Sequence, residues 1–195
     1  MYYFQYHKTN CFFIENKINQ DLLAIDAGWP STLREYQRSL KAIGLRFENL
    51  AWAMVTHFHM DHAGLITDFI DKGIECYIFE NQVNAIEDME RILKKNDKAY
   101  INIKIGKLKT IKIEESRKVL KNFGIDGEAI ITGSHSSDSI TFIFDTHEAI
   151  IGDLVPREQI MEDDKETENS WKRIVEKGAR HIYPGHAGIF ELRDN

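Results

Sequence analysis

The 195-residue sequence predicts an α/β fold in which short strands cluster in each half of the chain with helices set between them. Three observations carry this expectation. Short apolar, β-branched and aromatic runs bounded by polar turns recur along the chain. Segments with apolar residues at three- and four-residue spacing separate several of those runs. The composition, 43% hydrophobic and 29% charged, is that of a globular chain able to bury a core.

In order, Tyr2–Tyr6, Asn10–Glu15 and Leu22–Ile25 read as strands. A helix is predicted from Thr32, where Thr32 and Glu35 have capping-box spacing, to a stop at Gly44. Leu50–Thr56 reads as a strand, His62–Lys72 as a helix, Glu75–Phe79 as a strand and Gln82–Lys95 as a helix. The alternation of Ile101, Ile103 and Ile105 predicts a half-exposed strand, continued by Ile111 and Ile113. Ser116–Phe123 reads as a helix stopped at Gly124. Strands follow at Glu128–Thr132, Ile140–Phe144 and Ala149–Gly152, then a helix from Glu168 to Lys177 and a last strand, Arg180–Tyr183. No repeat, low-complexity tract or Pro/Gly-rich linker interrupts residues 1–195, so one domain is expected. Periodicity alone leaves several layered architectures open.

The formal net charge of −6 argues against nucleic acid as the main partner. Charge is uneven: Arg91 to Lys121 holds eleven Lys/Arg against three Asp/Glu, and Glu158 to Glu168 six carboxylates against one lysine. Both segments read as solvated surface. The alternative is that the basic segment, with Lys94, Lys95 and Lys98, attracts an anionic substrate. The acidic 154–167 loop reads equally as a lid or a passive surface. The N-terminus lacks the pattern of a signal peptide, and no apolar run is long enough to span a membrane. Cys11 and Cys76 lie in separate apolar runs and read as buried free thiols. A cytoplasmic location without membrane contact is expected.

Chemistry concentrates in Thr56-His57-Phe58-His59-Met60-Asp61-His62-Ala63-Gly64, directly after a predicted strand. Residues two apart in an extended chain face one side, so His57 and His59 can reach one ion together. Where the chain turns into a helix, Asp61 and His62 can face a second. Imidazole nitrogens and carboxylate oxygens suit zinc, iron and manganese. Further along, His135, Asp153 and His186 each follow a predicted strand, and Asp26 ends another. Ligand-binding groups commonly converge at such strand ends in layered α/β proteins.

This pattern resembles the metallo-β-lactamase superfamily, whose signature is His-x-His-x-Asp-His followed by isolated His, Asp and His residues. The resemblance implies a four-layer αββα sandwich with metals at one edge of two sheets. It implies that His57, His59 and His135 hold one metal, that Asp61, His62 and His186 hold a second, and that Asp153 bridges them. Asp26 would support the ligands from behind. Two divalent ions are expected, zinc first, with iron or manganese as alternatives. The chain departs from secreted metallo-β-lactamases in having no signal-peptide pattern, and it has Asp153 where one major group of them has cysteine. Only nine residues follow His186, so the C-terminal helical domain of glyoxalase II-like enzymes is not expected.

The reaction this implies is hydrolysis by a metal-bound hydroxide of an ester, thioester, lactone or phosphoester of a small metabolite, with Asp61 and Asp153 as catalytic carboxylates. Two other readings stand beside it: an iron-dependent oxidoreductase similar to persulfide dioxygenases, and a non-catalytic metal-binding module. The sequence specifies neither the substrate nor the oligomeric state. His7, His147 and His181 fall outside the pattern and read as surface or hydrogen-bonded histidines. Tyr183 reads as core packing, and Ser136 and Asp138 as local support for His135. Trp29 is the tryptophan best placed to line a substrate pocket.

Overall fold

The computed structural model describes residues 1–96 and 100–192. Two sheets form. The first has the order β1-β2-β3-β4-β5-β6, built from Tyr2–Tyr6, Thr9–Glu15, Leu22–Ile25, Leu50–Met54, Glu75–Phe79 and Lys109–Ile111. The second has the order β11-β10-β9-β8-β7, built from Phe190–Glu191, His181–Pro184, Glu148–Gly152, Ile140–Phe144 and Gly127–Ile131. Six α-helices accompany them among the described residues: α1 (Leu33–Ala42), α2 (Met60–Ala63), α3 (Ile66–Asp71), α4 (Val83–Asn96), α5 (Ser116–Asn122) and α6 (Lys165–Glu176).

The period-two side-chain alternation of the strands sorts the apolar residues into three layers. In β3, Leu22 and Ala24 face a helical layer that contains Tyr36, Leu40, Phe69 and Ile86. Leu23 and Ile25 face the other way, into a middle layer with Phe142, Phe144 and Ile150 of the second sheet. In β8, Ile143 turns from that middle layer to join Trp171 and Ile174 of α6. Three apolar layers between four structural ones make the αββα sandwich that the resemblance implies. Each large side chain so buried contributes roughly 1.5–3 kcal/mol relative to exposure. At the margin of the middle layer, Phe123 stacks on Trp52 with ring centroids 4.4 Å apart.

Where the elements depart from expectation, tertiary contacts explain the change. The Thr32–Glu35 capping box does not form: the Thr32 hydroxyl donates to the Trp29 carbonyl at 2.6 Å, and Glu35 pairs with His7. Residues 101–105 are not a strand. The Ile103 N–H is taken by the Glu90 carboxylate of α4 at 2.5 Å, which leaves no ladder to join, and Ile105–Lys107 is a 3-10 turn. Ile113 likewise falls in a 3-10 turn beyond β6. The single helix expected over 62–72 is two, α2 and α3. Between them the Gly64 and Leu65 N–H groups turn to the carbonyls of Gly28 and Ala27 at 2.8 and 3.2 Å. A side chain on Gly64 would meet the backbone of Pro30 and Gly28, so this close approach requires glycine. The two-residue β11 has no counterpart in the sequence pattern.

Cys11 and Cys76 are buried free thiols. Burial pushes the Cys11 thiol well up and the Cys76 thiol to about 12. Neither thiol is therefore expected to react with a disulfide reagent in the native protein at pH 8, and both should react in denaturant. A colorimetric thiol count checks this; native labelling of either would show that its strand opens.

Candidate metal centre

The centre lies where β3, β4, β7, β9 and β10 end, so both sheets contribute. His57 follows β4, and its N–H neighbours are fixed by side chains from elsewhere. The Thr56 N–H donates to Asp26 at 2.7 Å, and the Phe58 N–H donates to the buried Asp138 carboxylate at 2.6 Å. These two anchors hold the extended segment that presents His57 and His59. Register between β9 and β10 pairs Pro184 with Gly152, so Asp153 and Gly185 emerge side by side.

The cluster has two parts. His57, His59, His135 and Asp153 each offer one ligand atom, and so do Asp61, His62 and His186; within each group these atoms lie within 4.8 Å of one another. Asp153 stands between them. Its Oδ2 is 3.8 Å from His57 Nε2, 3.7 Å from His135 Nε2 and 3.2 Å from His186 Nε2, and its Oδ1 is 3.3 Å from His62 Nε2. Asp61 Oδ2 is 3.1 Å from His186 Nε2 and 3.4 Å from His62 Nε2. All seven residues expected from the sequence are thus brought together.

The partners behind the imidazoles decide which nitrogen faces inward. His62 Nδ1 donates to Asp26 at 2.8 Å, and His186 Nδ1 donates to the Lys8 carbonyl at 2.9 Å. The Thr56 hydroxyl donates to Asp26, so its oxygen accepts from His57 Nδ1 at 3.1 Å. In each case Nε2 is left free for an ion. Asp26 is fully buried, with a positive φ of 67° that aims its carboxylate at Thr56 and His62 together.

The residues fit a metal. His57 Nε2 is buried and lacks a hydrogen-bond partner among the described residues, and Asp153 Oδ1 makes no well-formed hydrogen bond, only the His62 ring standing 3.3 Å away; a bound cation would satisfy both atoms. The donor set of five imidazoles and two carboxylates suits zinc, iron or manganese. Gly185 completes the cradle. A Cβ there would fall on Asp153 Oδ1 and sit 2.8 Å from His62 Cε1. Gly185→Ala is accordingly expected to weaken metal affinity about 10–100-fold, the scale of disturbed ligand support. Metal-buffered titration checks this, and unchanged affinity would show that the carboxylate has room to move.

Before an ion binds, the cluster competes for protons. Burial, the largest influence on His62, disfavours its charged form, but Asp26 and Asp153 outweigh it and raise the imidazole to about 10. Hydrogen bonds to Asp153 and Asp61 lift His186 to about 11. Burial works against the charged form of Asp61, yet His186 and His62 prevail and bring it down to about 2; Asp153 is lowered in the same way. Burial depresses His57 and His135. Raised histidines are protonated at pH 7, so metal uptake is expected to release about two protons per chain, and apparent affinity to rise with pH toward 10. Loading in weak buffer with an indicator dye measures the release; none at pH 7 would mean that both histidines were already neutral.

Several supporting residues had no sequence signal. The Thr9 hydroxyl donates to Asp61 Oδ2 at 3.1 Å. Asn10 donates through its side chain to the Pro184 and Ala187 carbonyls and through its backbone N–H to Gly185, fastening the His186 loop. Both come from β2, remote in sequence. Asp138 supports the His57–His59 segment as well as the Ser136 hydroxyl, a wider role than local support for His135.

A cleft of about 450 Å³ opens beside His59 and Asp61, between α4 and the 136–138 loop. Trp29 does not line it; its backbone N–H donates to the Tyr6 hydroxyl instead. Lys94 and Lys95 lie on the opposite face of α4, lining a shallow groove with Glu87, Glu90 and Arg91, while Lys98 lies outside the described residues. The 154–167 segment runs against α6, where the Val155 carbonyl accepts the Trp171 indole N–H at 2.7 Å. His7, His147 and His181 contact Glu35, the Gly178 carbonyl and Glu191, away from the cluster. Tyr183 packs edge-on against Tyr3 and Phe12. Among the described residues no helix is long and apolar enough to cross a membrane.

The family model of the metallo-beta-lactamase superfamily matches residues 6–186, which includes every residue of this cluster. The chain belongs to the metallo-beta-lactamase superfamily. Solved structures agree at the level of the fold. A metallo-beta-lactamase family protein from Thermus thermophilus aligns with a TM-score of 0.68 and 18% identity, over 97% of this chain and 74% of that one. The B3 metallo-beta-lactamase BLEG-1 aligns with a TM-score of 0.70 and 17% identity, over 94% and 88%. A third, the protein TTHA1623 in a di-iron-bound form, gives 0.68 and 19%, over 94% and 89%. Superfamily proteins of this fold bind divalent metals, and most are metal-dependent hydrolases.

Proposed function

We propose that this superfamily member is a binuclear metal-dependent hydrolase of a small molecule, acting on an ester, thioester, lactone or phosphoester in the cytoplasm as a single domain. The observation that carries the reading is the position of Asp153, whose two oxygens lie near ligand atoms of both groups at 3.2–3.8 Å. When bound, two such ions supply an activated water and polarise the substrate oxygen.

The chain's own residues do the rest. His57, His59 and His135 would hold one ion, Asp61, His62 and His186 the other, with Asp153 shared. Asp61, kept ionised down to about 2, is too weak a base to carry a proton far at neutral pH. Its role is to accept a hydrogen bond and orient the attacking water, itself steadied by Thr9. Asp26 and the Lys8 carbonyl keep His62 and His186 in the tautomer that presents Nε2.

Metal content by mass spectrometry, followed by a panel of chromogenic esters, lactones and phosphodiesters, tests the reading. About two equivalents of zinc with turnover are expected. The di-iron-bound state of one fold relative makes iron the metal to assay beside zinc. One equivalent of iron with oxygen consumption on a persulfide would replace the hydrolase with the oxidoreductase reading.

A further inference from the structure

The cleft beside the cluster has a lining the metal ligands do not require. Ala85, Met89 and Ile92 stand at i, i+4 and i+7 of α4 and form one stripe along it. Phe58 and Met60 face them from the ligand loop. Ile92 is 50% exposed. At 1.5 Å per helical residue the stripe runs for about 10 Å, the reach of an alkyl chain of about eight carbons. Met89 itself is 4% exposed and belongs to the core, so the accessible wall comes from Ala85, Ile92 and Met60, whose thioether suits a wall that adapts to such a chain.

Charge narrows the occupant. Apart from His59, the ionisable side chains lining the cleft are Asp61, Asp88 and Asp138, and among the described residues no Lys or Arg does so. Arg91 pairs with Asp88 but lies with Lys94 and Lys95 on the groove across the helix. An anionic tail lying along α4, away from the cluster, would meet the Asp88 and Asp138 carboxylates with no Lys or Arg among the lining residues and with Arg91 already paired to Asp88.

We infer that the cleft binds an uncharged aliphatic chain along Ala85, Met89 and Ile92, placing its carbonyl end at the cluster, and that it discriminates against anionic tails. The position of the reacting bond rests on the hydrolase reading; binding of the chain does not. The orientation follows from His59 and Asp61, which line the cleft and belong to the cluster.

The experiment compares the p-nitrophenyl esters of acetate, octanoate and hemisuberate on the zinc-loaded protein, and titrates octanamide and its anionic analogue suberamate calorimetrically. Two variants accompany it, each checked for parental circular dichroism: Ala85→Trp, which fills the start of the stripe, and Ile92→Glu, at its half-exposed end. The octanoate ester is expected to exceed the acetate ester about 30-fold in kcat/KM, within the discrimination that methylenes in an apolar pocket provide. Hemisuberate should show little of that advantage, and both variants should bring the octanoate-to-acetate ratio near one. Octanamide should bind the parent chain at least about tenfold more tightly than either variant, and more tightly than suberamate.

Equal turnover of acetate and octanoate, with octanamide binding indifferent to both variants, would overturn the inference and leave the hydrolase reading standing. No turnover of any ester, with octanamide binding still lost in the variants, would overturn the hydrolase reading and leave the cleft as described. Preference for hemisuberate would overturn the charge argument.

Discussion

Replacing Asp153 by alanine is expected to lower kcat/KM on the order of 10³-fold, about 4 kcal/mol of transition-state stabilisation, and to end retention of a full metal complement. The reason is position. No other side chain in the cluster has oxygens near both ligand groups, at 3.3 Å from His62 and 3.2 Å from His186 on one side and 3.7 Å from His135 on the other. The fold should survive, because Asp153 follows β9 and its Oδ1 holds no backbone group among the described residues. Far-ultraviolet circular dichroism together with metal analysis separates the two effects. A variant that kept two equivalents of metal and parental turnover would remove Asp153 from the centre. Asp153→Asn, which keeps the shape and loses the charge, should fall between alanine and the parent in metal content.

Asp26→Ala is expected to damage stability and metal binding together. The Asp26 carboxylate is fully buried and accepts from the Thr56 N–H, the Thr56 hydroxyl and His62 Nδ1. Its removal leaves those donors unpaired in a site closed to water, a loss of about 3–5 kcal/mol. For a chain of this size that corresponds to a fall in Tm of about 10 °C. His62 would also lose the partner that fixes its tautomer, which weakens metal affinity a further 10–100-fold or so. Asp26→Asn gives the control. It keeps an oxygen for Thr56 and tolerates the positive φ, but sets an N–H₂ group against a ring N–H. Its Tm should fall less than that of alanine while metal affinity falls nearly as far. Equal affinity in parent and asparagine variant would mean that Asp26 serves the fold alone.

The residues of the cluster were legible in the sequence because strand ends group them, and the resemblance proposed them as ligands. A strand followed by a turn puts His57 and His59 on one side, and a histidine or aspartate beyond each of several strands must reach the same sheet edge. The α/β class was legible for a similar reason: β3, β5 and β8 read directly from short apolar runs. The expected strand at 101–105 failed because the carboxylate of Glu90, eleven or more residues earlier, claimed a backbone N–H that a ladder would have used. The Thr32 cap failed because the Trp29 carbonyl offered the hydroxyl a better partner once the 26–30 turn had formed. The helix expected over 62–72 broke where Gly64 meets that same turn.

What the sequence by itself determined is the chemistry: which side chains can bind metal, and that the chain folds as strands and helices in layers. Only the tertiary structure decided how each candidate ligand is aimed. Thr9, Asn10 and the Lys8 carbonyl reach the centre from β2 and the turn before it, across the interface between the two sheets, and Asp138 reaches the His57–His59 segment from the far side of the chain. Such contacts carry no periodic signal, because a hydrogen bond between residues 80 or 178 positions apart depends on packing and not on local spacing. The same is true of the cleft. Ala85, Met89 and Ile92 read as one more apolar helical stripe; Met89 joins Ile86 and Leu93 in the core, and only the packed structure leaves Ile92 half-exposed at a cleft that His59 and Asp61 also line.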